Sequence, residues 1–142
     1  MYNDEEILNF IYQNAEMGIE GIDKILSKTD DHRFREHLQG QHQEYKEIMQ
    51  RAEQMLNNKH YPVKSKIPAA KVMLNTVSDA KTLFNKSPSK LAEMMIQGNT
   101  MGVVKMVKHM NDYEGNDVEV NRLAGKVIKM ERTNIDKLKQ FL

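Results

Sequence analysis

The side chains that most often bind metals or transfer protons are histidine, aspartate, glutamate and cysteine, and this sequence uses them unevenly. There is no cysteine, which excludes disulfides, thiolate metal sites and cysteine nucleophiles. Three of the five histidines follow at intervals of five, at His32, His37 and His42. On a helix that interval turns each side chain about 140° from the last, whereas ligand pairs on one helix need a spacing of three or four. The histidines are therefore predicted to lie at the surface or its edge, and His60 and His109 stand alone.

A second group of polar residues interrupts stripes of apolar residues at helical spacing. Its members are Gln41, Tyr45, Asn99, Glu131 and Asn134, with His42 and Glu44 at the edge. A buried polar group costs stability unless it is paired, so such a set needs a purpose. One interpretation is a hydrogen-bonded layer that sets the register of the helices, as an asparagine does in a coiled coil. The other is a reduced metal or small-ligand site around Glu131, and the residues alone leave both open.

The elements that would hold these residues are all predicted to be helices. Glycine and proline are scarce, no stretch alternates apolar and polar residues as a strand does, and apolar residues recur every three or four positions. Capping signals support the helix starts, with Asn3 before Glu6, Ser87 before Pro88, and Asn116 before Glu119. We predict a single domain over residues 1–142, with helices at about 4–28, 31–58, 66–84, 88–112 and 116–142.

The two halves of the chain resemble each other. Residues 13–19 align with residues 97–103 at an offset of 84, and residues 51–56 align with residues 137–142. The halves are therefore predicted to form two helical hairpins. About 30 residues separate the second helix from the fourth, enough for a crossover helix that returns the chain along the bundle. The predicted order of helix directions is up-down-down-up.

This pattern of two hairpins joined by a long crossover resembles the ferritin-like superfamily, an all-α fold built on an up-down-down-up four-helix bundle. Residues 92–103 and 134–142 are also similar to small helical-bundle proteins of anaerobic Gram-positive bacteria. The ferritin-like resemblance implies a two-metal centre held by a Glu from each of two helices and a Glu-x-x-His from each of the other two. Here the second and fifth helices lack Glu-x-x-His, and Glu131 is followed three residues later by Asn134. Ferroxidase or oxygenase chemistry is therefore not expected, and no cofactor is assigned.

The fourth predicted helix is the most apolar of the set. Five of the 11 methionines lie in it, and methionine is typical of adaptable cores and contact surfaces. Its apolar arc is wider than one bundle face needs, because Leu91, Met94 and Met101 form an additional stripe. Either the crossover helix or another subunit must cover that stripe, so a homodimer or a protein partner through this helix is one expectation.

Charge is divided between the two parts of the chain. Residues 1–58 carry six basic and twelve acidic groups, residues 59–142 carry fifteen basic and eight acidic groups, and the whole has a net charge of +1. The lysine-rich crossover could attract nucleic acid, but arginine is rare and no aromatic residues are interleaved with the lysines, so that partner is not favoured. No apolar run is long enough for a membrane helix, and the first residues are acidic where a secretion signal would be basic. A cytoplasmic location is expected.

The sequence therefore predicts a helical bundle that works without catalysis, as a structural or protein-interaction module. The alternative is a metal-binding or small-ligand-binding protein that uses the reduced site around Glu131. A weaker third hypothesis is association with nucleic acid through the crossover lysines.

Overall fold

The computed structural model describes residues 1–67 and 87–142, and in these ranges the chain is helical. The helices are α1 (Asp4–Leu26), α2 (His32–Asn58), α3 (Pro88–Asn111) and α4 (Val118–Leu138), followed by a 3₁₀ turn over Lys139–Phe141. Within the described ranges there is no strand, and β pairing is limited to an isolated bridge between Tyr2 and Tyr113. The all-α prediction is confirmed for these residues. The predicted crossover helix at about 66–84 lies outside the described residues from position 68 onward.

The helices begin at capping residues, most of them at the positions that the sequence indicates. Asn3 and Glu6 form a capping box at the start of α1, and Ser87 caps α3 ahead of Pro88. The prediction for α4 was wrong by one residue. Asp117 rather than Asn116 is the cap, since its carboxylate accepts the backbone N–H groups of the next turn.

Contacts between the helix ends show in which direction each helix runs. Lys59, directly after α2, pairs with Asp117, which caps α4, so α2 and α4 are antiparallel neighbours. Phe10, in the first half of α1, stacks on His109 near the end of α3, so α1 and α3 are also antiparallel neighbours. The α1–α2 and α3–α4 pairs form the two hairpins. Helices α2 and α3 therefore run in the same direction, which is the predicted up-down-down-up order.

The chain that leaves α2 runs along α1. His60, the one described non-glycine residue with a positive φ (63°), turns the chain out of α2. The side chain of Asn9 then donates to the carbonyl of Pro62 at 3.1 Å and accepts the N–H of Lys64 at 2.8 Å. Gln13, one turn further along α1, donates to the carbonyl of Lys64 at 2.7 Å. The link thus starts in the direction that a crossover to the beginning of α3 requires.

The core lies along the seams that the sequence periodicity predicts. All seven seam positions of α2, from Phe34 to Met55, are buried, as are the predicted seam positions of α4 from Val120 to Leu138. At one end of the bundle Phe34 packs against Phe141 with ring centroids 5.0 Å apart. Burying the apolar side chains of these seams is the main favourable contribution to folding. The agreement means that the rotational phase of each helix follows from the sequence.

Candidate functional site

The five polar residues that interrupt the apolar seams lie in the interior of the bundle. Gln41 and Tyr45 come from α2, Asn99 from α3, and Glu131 and Asn134 from α4. Each is at most 3% exposed. Groups buried this deeply must be paired with each other or with another molecule, because desolvation without a partner is costly. We call these five residues together with Asn14 the polar layer.

Two separate hydrogen-bonded groups make up the centre of the polar layer. The Tyr45 hydroxyl donates to Oδ1 of Asn99 at 2.8 Å, and Nε2 of Gln41 donates to the same oxygen at 3.0 Å. On the other side, Nδ2 of Asn14 donates to Oε1 of Glu131 at 2.6 Å. All four helices therefore contribute to the layer, and α1 does so through Asn14.

Asn14 is the member of the layer that the sequence analysis missed. It is half-buried and lies beside the seam residue Ala15, so its position in the helical repeat did not mark it as an inward residue. The inward position of Glu131 was the signal that could have identified Asn14. A single inward carboxylate on α4 requires a hydrogen-bond donor from a neighbouring helix, and an asparagine adjacent to the α1 seam meets that requirement.

Two glycines make room for the largest groups of the layer. A Cβ atom on Gly18 would lie 2.7 Å from the ring of Tyr45, and a Cβ on Gly102 would lie 2.0 Å from Oε2 of Glu131. Gly18 and Gly102 occupy equivalent positions in the internal repeat. Each of them accommodates a residue from the second helix of its own hairpin. The repeat is therefore visible in the packing, with a tyrosine in one half where the other half has a glutamate.

Burial changes the acid–base properties of the layer. Desolvation raises the pKa of Glu131 from its usual 4.5 to about 7, although hydrogen bonds from Asn14 and Tyr45 oppose the increase. Burial also raises the pKa of Tyr45, and the neighbouring carboxylate of Glu131 adds to that effect. Tyr45 thus stays protonated. The Tyr45 hydroxyl donates its proton to Asn99, and its electrostatic interaction with Glu131 couples the two groups of the layer.

Three polar atoms of the layer have no hydrogen-bond partner among the described residues. They are Oε1 of Gln41, Nδ2 of Asn99 and Oε2 of Glu131. Such atoms are rare in folded proteins, and each costs on the order of 1–3 kcal/mol. The layer therefore has spare hydrogen-bonding capacity in the part of the chain that the structure describes.

Of the two edge residues named from the sequence, Glu44 contacts the layer through Asn134, whereas His42 does not contact it. Nδ2 of Asn134 makes a long contact of 3.4 Å with Oε1 of Glu44, whose side chain is exposed. His42 pairs instead with Asp23 of α1 at 3.1 Å. Over residues 1–67 and 87–142, no three acidic or histidine side chains lie close enough together to hold a metal ion.

A groove of about 650 Å³ lies between α1 and α3, directly over the polar layer. Four residues that belong to the layer or adjoin it line the groove, namely Asn14, Gly18, Asn99 and Gly102. Apolar residues that also line the groove include Phe10, Met17, Ile25, Met94, Met95 and Met101. Pockets of this size that combine apolar walls with a few convergent polar groups are typical small-molecule sites.

The predicted interface stripe on α3 is divided between the core and this groove. Leu91 is fully buried within the chain, so its assignment to an intersubunit interface is not supported by its position. Met94 is half-buried and Met101 is 58% exposed, and both line the groove. The helix turns Leu91 toward the bundle because it lies one turn before the seam residue Met95, which is also buried.

Another polar cluster, at the end of the bundle, is fully paired and serves the fold. The ammonium group of Lys59 contacts Asp117 at 2.6 Å and Asp4 at 3.3 Å. The Tyr113 hydroxyl donates to Asp4, and burial together with that bond raises the pKa of Tyr113 to about 12. Hydrogen bonding to Asp117 raises the pKa of Lys59, and the reciprocal contact lowers the pKa of Asp117. The cluster joins α1, α2 and α4, and its residues do not line the groove between α1 and α3.

Comparison with known proteins identifies a similar fold. The crystal structure of a DUF305 fragment from Deinococcus radiodurans matches with a TM-score of 0.72, covering 96% of this chain and 93% of the other at 18% sequence identity. At that identity the likeness concerns the fold alone. No protein-family model matches the chain, and no curated protein matches it. None of the helices in the described residues is long and apolar enough to span a bilayer.

Proposed function

We propose that this chain is a non-catalytic, ferritin-like helical bundle that binds a small molecule in the groove between α1 and α3, with the polar layer around Glu131 as its floor. The observation that carries the proposal is the side chain of Asn99. It is 3% exposed, it lines the groove, and its Nδ2 has no partner among the described residues. A ligand in the groove would supply that partner.

The spare hydrogen-bonding capacity favours a ligand over a purely architectural layer. A layer that only fixed helix register would be stabilised by satisfying its own atoms, because an unpaired buried group costs about 1–3 kcal/mol. Here Asn99, Gln41 and Glu131 each leave one atom unpaired within the described residues. A binding site needs polar atoms that are free to pair with a ligand and a groove beside them, and this part of the bundle combines the two.

The chemistry of the layer favours an organic ligand over a metal. Its groups are mainly side-chain amides and one tyrosine hydroxyl, with Glu131 the one carboxylate at its centre. Transition metals prefer histidine or several carboxylates, whereas amides and hydroxyls pair with hydrogen-bonding organic groups. The ferritin-like assignment is supported by the helix directions and by the repeat that places Gly18 and Gly102 equivalently.

The groove can be filled without disturbing the layer. A Cβ on Gly21 or Gly98 would meet no atom within 4 Å, and both residues line the groove. We expect the double variant Gly21→Leu/Gly98→Leu to fold and to lose binding of N-phenyl-1-naphthylamine, a neutral apolar dye whose fluorescence increases on binding. Leucine has a higher helix propensity than glycine, so the variant should be at least as stable as the natural protein.

A matched control uses glycines away from the groove. Gly40 on α2 and Gly125 on α4 also have open space around the Cβ position, and neither lines the groove. The variant Gly40→Leu/Gly125→Leu should therefore bind the dye as the natural protein does. Equal dye binding by both variants, or no binding by the natural protein, would overturn the proposal.

Self-association is a second candidate function, favoured by one observation. Met17 and Met101, which line the groove between α1 and α3, are 55% and 58% exposed, and Val104, three residues after Met101 on α3, is 50% exposed. A stable dimer needs about 800 Å² from each partner, so this patch would have to be the centre of a larger interface. Sedimentation velocity decides the matter. A dimer that Met101→Glu dissociates supports this function, and a monomer at about 100 μM protein removes it.

A further inference from the structure

We infer that the ligand of the α1–α3 groove is an amphipathic anion, with an apolar body and one acidic group. This inference rests on the proposed function and specifies the class of molecule that the groove takes. Every charged residue among the described lining of the groove is a lysine: Lys24, Lys66 and Lys105. Two of them lie at the same level as the polar layer, on opposite walls.

Lys105 is on the α3 wall of the groove. The backbone carbonyl of Lys105 contacts Nδ1 of His109 at 2.8 Å, one helical turn away. His109 in turn stacks on Phe10 with ring centroids 3.7 Å apart, which aligns this part of α3 with α1. Because α1 and α3 are antiparallel, one turn before His109 corresponds to one turn after Phe10. Lys105 is therefore level with Asn14.

Lys66 is on the opposite wall. It belongs to the segment after α2, which runs along α1. Its backbone N–H donates to Oε2 of Glu16 at 3.3 Å, and Gln13 binds the carbonyl of Lys64. These contacts place Lys66 level with residues 13–16 of α1. The nearby carboxylate of Glu16 is engaged by the backbone of Lys66 and by the hydroxyl of Ser65, and it faces the second, smaller pocket rather than the groove.

The ammonium groups of Lys66 and Lys105 form no ion pair within residues 1–67 and 87–142 and are exposed. Lys24, at the other end of the groove, pairs with Glu20 at 3.3 Å. Two cations without an acidic partner in the described part of the chain raise the local concentration of anions and orient them at the site. Asn99, whose amide nitrogen has no partner within residues 1–67 and 87–142, lies on the floor of the groove below them. Ammonium groups on both walls above a polar floor suit a carboxylate or sulfonate.

The rest of the groove would hold the apolar body of the ligand. Beyond the layer, the lining includes Met17, Met95 and Ile25, toward the end of α1. Methionine side chains are flexible and polarizable, so they can adapt to ligands of different shape. The groove has room for a fused-ring aromatic or an acyl chain of moderate length, since pockets of about 300–1,000 Å³ bury most of a drug-sized molecule. Glu131, behind Gly102 and Asn14, keeps the acid group at the lysine rim rather than deeper in the bundle.

The test compares two dyes that differ by one acidic group. N-Phenyl-1-naphthylamine is neutral, and 1-anilinonaphthalene-8-sulfonate has the same ring system with a sulfonate. We expect the natural protein to bind the sulfonate about tenfold more tightly than the neutral dye at low ionic strength, as two partly exposed ionic contacts would provide. High salt should reduce the preference, because the rim is accessible to screening ions.

The variant Lys66→Gln/Lys105→Gln should bind both dyes with the affinity that the neutral dye shows for the natural protein. Its matched control is Lys126→Gln/Lys129→Gln, which removes the same charge from exposed positions on α4. That control should retain the tenfold preference. Decanoate should displace the sulfonate dye from the natural protein, whereas decyltrimethylammonium should not.

The outcomes separate this inference from the proposed function. If the natural protein binds both dyes equally, or if the rim variant keeps the preference, the anionic class is wrong while binding of the neutral dye still supports a groove ligand. If neither dye binds, or if the variant Gly21→Leu/Gly98→Leu binds both as well as the natural protein, the proposed function itself fails.

Discussion

Replacing Glu131 by glutamine should make the protein more stable at alkaline pH while leaving its stability at acidic pH nearly unchanged. Glu131 is 1% exposed, and its carboxylate accepts one hydrogen bond from Asn14 while Oε2 has no described partner. Glutamine has the same shape as the protonated acid and cannot ionise. The substitution Glu131→Gln therefore removes the cost of a buried charge without creating a cavity.

The size of the effect follows from the pKa of Glu131. In the folded protein this pKa is about 7, against 4.5 in the unfolded chain. Between these values the unfolded chain loses the proton and the folded protein keeps it, so stability falls as the pH rises through this window. At about 1.36 kcal/mol per pKa unit, the full difference is about 3 kcal/mol, of which about 2.5 kcal/mol develops between pH 5 and pH 8. Below pH 4.5 both states are protonated and no cost remains.

Urea denaturation followed by circular dichroism at pH 5, 6, 7 and 8 measures this difference directly. The control is Glu36→Gln, which removes a carboxylate from an exposed position on α2. The free energy of unfolding of Glu131→Gln relative to the natural protein should increase by about 2.5 kcal/mol over that range, while the control should change by less than about 0.5 kcal/mol. Parallel pH profiles for the natural protein and Glu131→Gln would refute the reasoning, and so would a loss of stability on Glu131→Gln at pH 8.

Three further substitutions, with Gly125→Ala as a control, test the packing of the layer and the end of α2. Gly102→Ala should destabilise the protein by about 2 kcal/mol in thermal unfolding because the new methyl group displaces the carboxylate of Glu131, whereas Gly125→Ala, in open space, should stabilise it by about 1 kcal/mol. Tyr45→Phe should cost about 1 kcal/mol, since it removes one hydroxyl from the layer, and a neutral result would mean that this hydroxyl contributes nothing net. His60→Gly should stabilise the protein by about 1 kcal/mol because φ is 63° there, and unchanged urea midpoints would contradict that strain.

The burial of the polar layer could be predicted because it depends on local periodicity. Gln41 and Tyr45 lie four residues apart in one apolar stripe, and Glu131 and Asn134 lie three apart in another. A helix repeats every 3.6 residues, so a polar residue in such a stripe must face the same way as its apolar neighbours. The structure places all of them in the interior. The orientation of His42, at the edge of the stripe, was not determined by periodicity, and its side chain turns toward Asp23 of α1 instead of the layer.

The partners within the layer could not be predicted in the same way. Whether a given side chain meets another on a different helix depends on how far each helix is shifted along and rotated about its axis, and small changes in packing alter both. Asn14 lies beside the seam rather than on it, yet it becomes the donor to Glu131. Nor could the sequence indicate that Leu91 is enclosed within the chain while Met101 remains exposed.

Local periodicity in the sequence alone determined that the chain is helical, which face of each helix is buried, and that an unusual set of polar residues lies on that face. Only the tertiary structure decided that Asn14 pairs with Glu131 across 117 residues, that Tyr45 and Asn99 pair across 54, and that a groove rimmed by Lys66 and Lys105 opens above them. The physical reason is the separation along the sequence of the residues that determine each feature. A helix and its amphipathic face arise from neighbours within two turns, whereas a binding site arises where distant segments converge, and their convergence depends on the packing of the whole bundle.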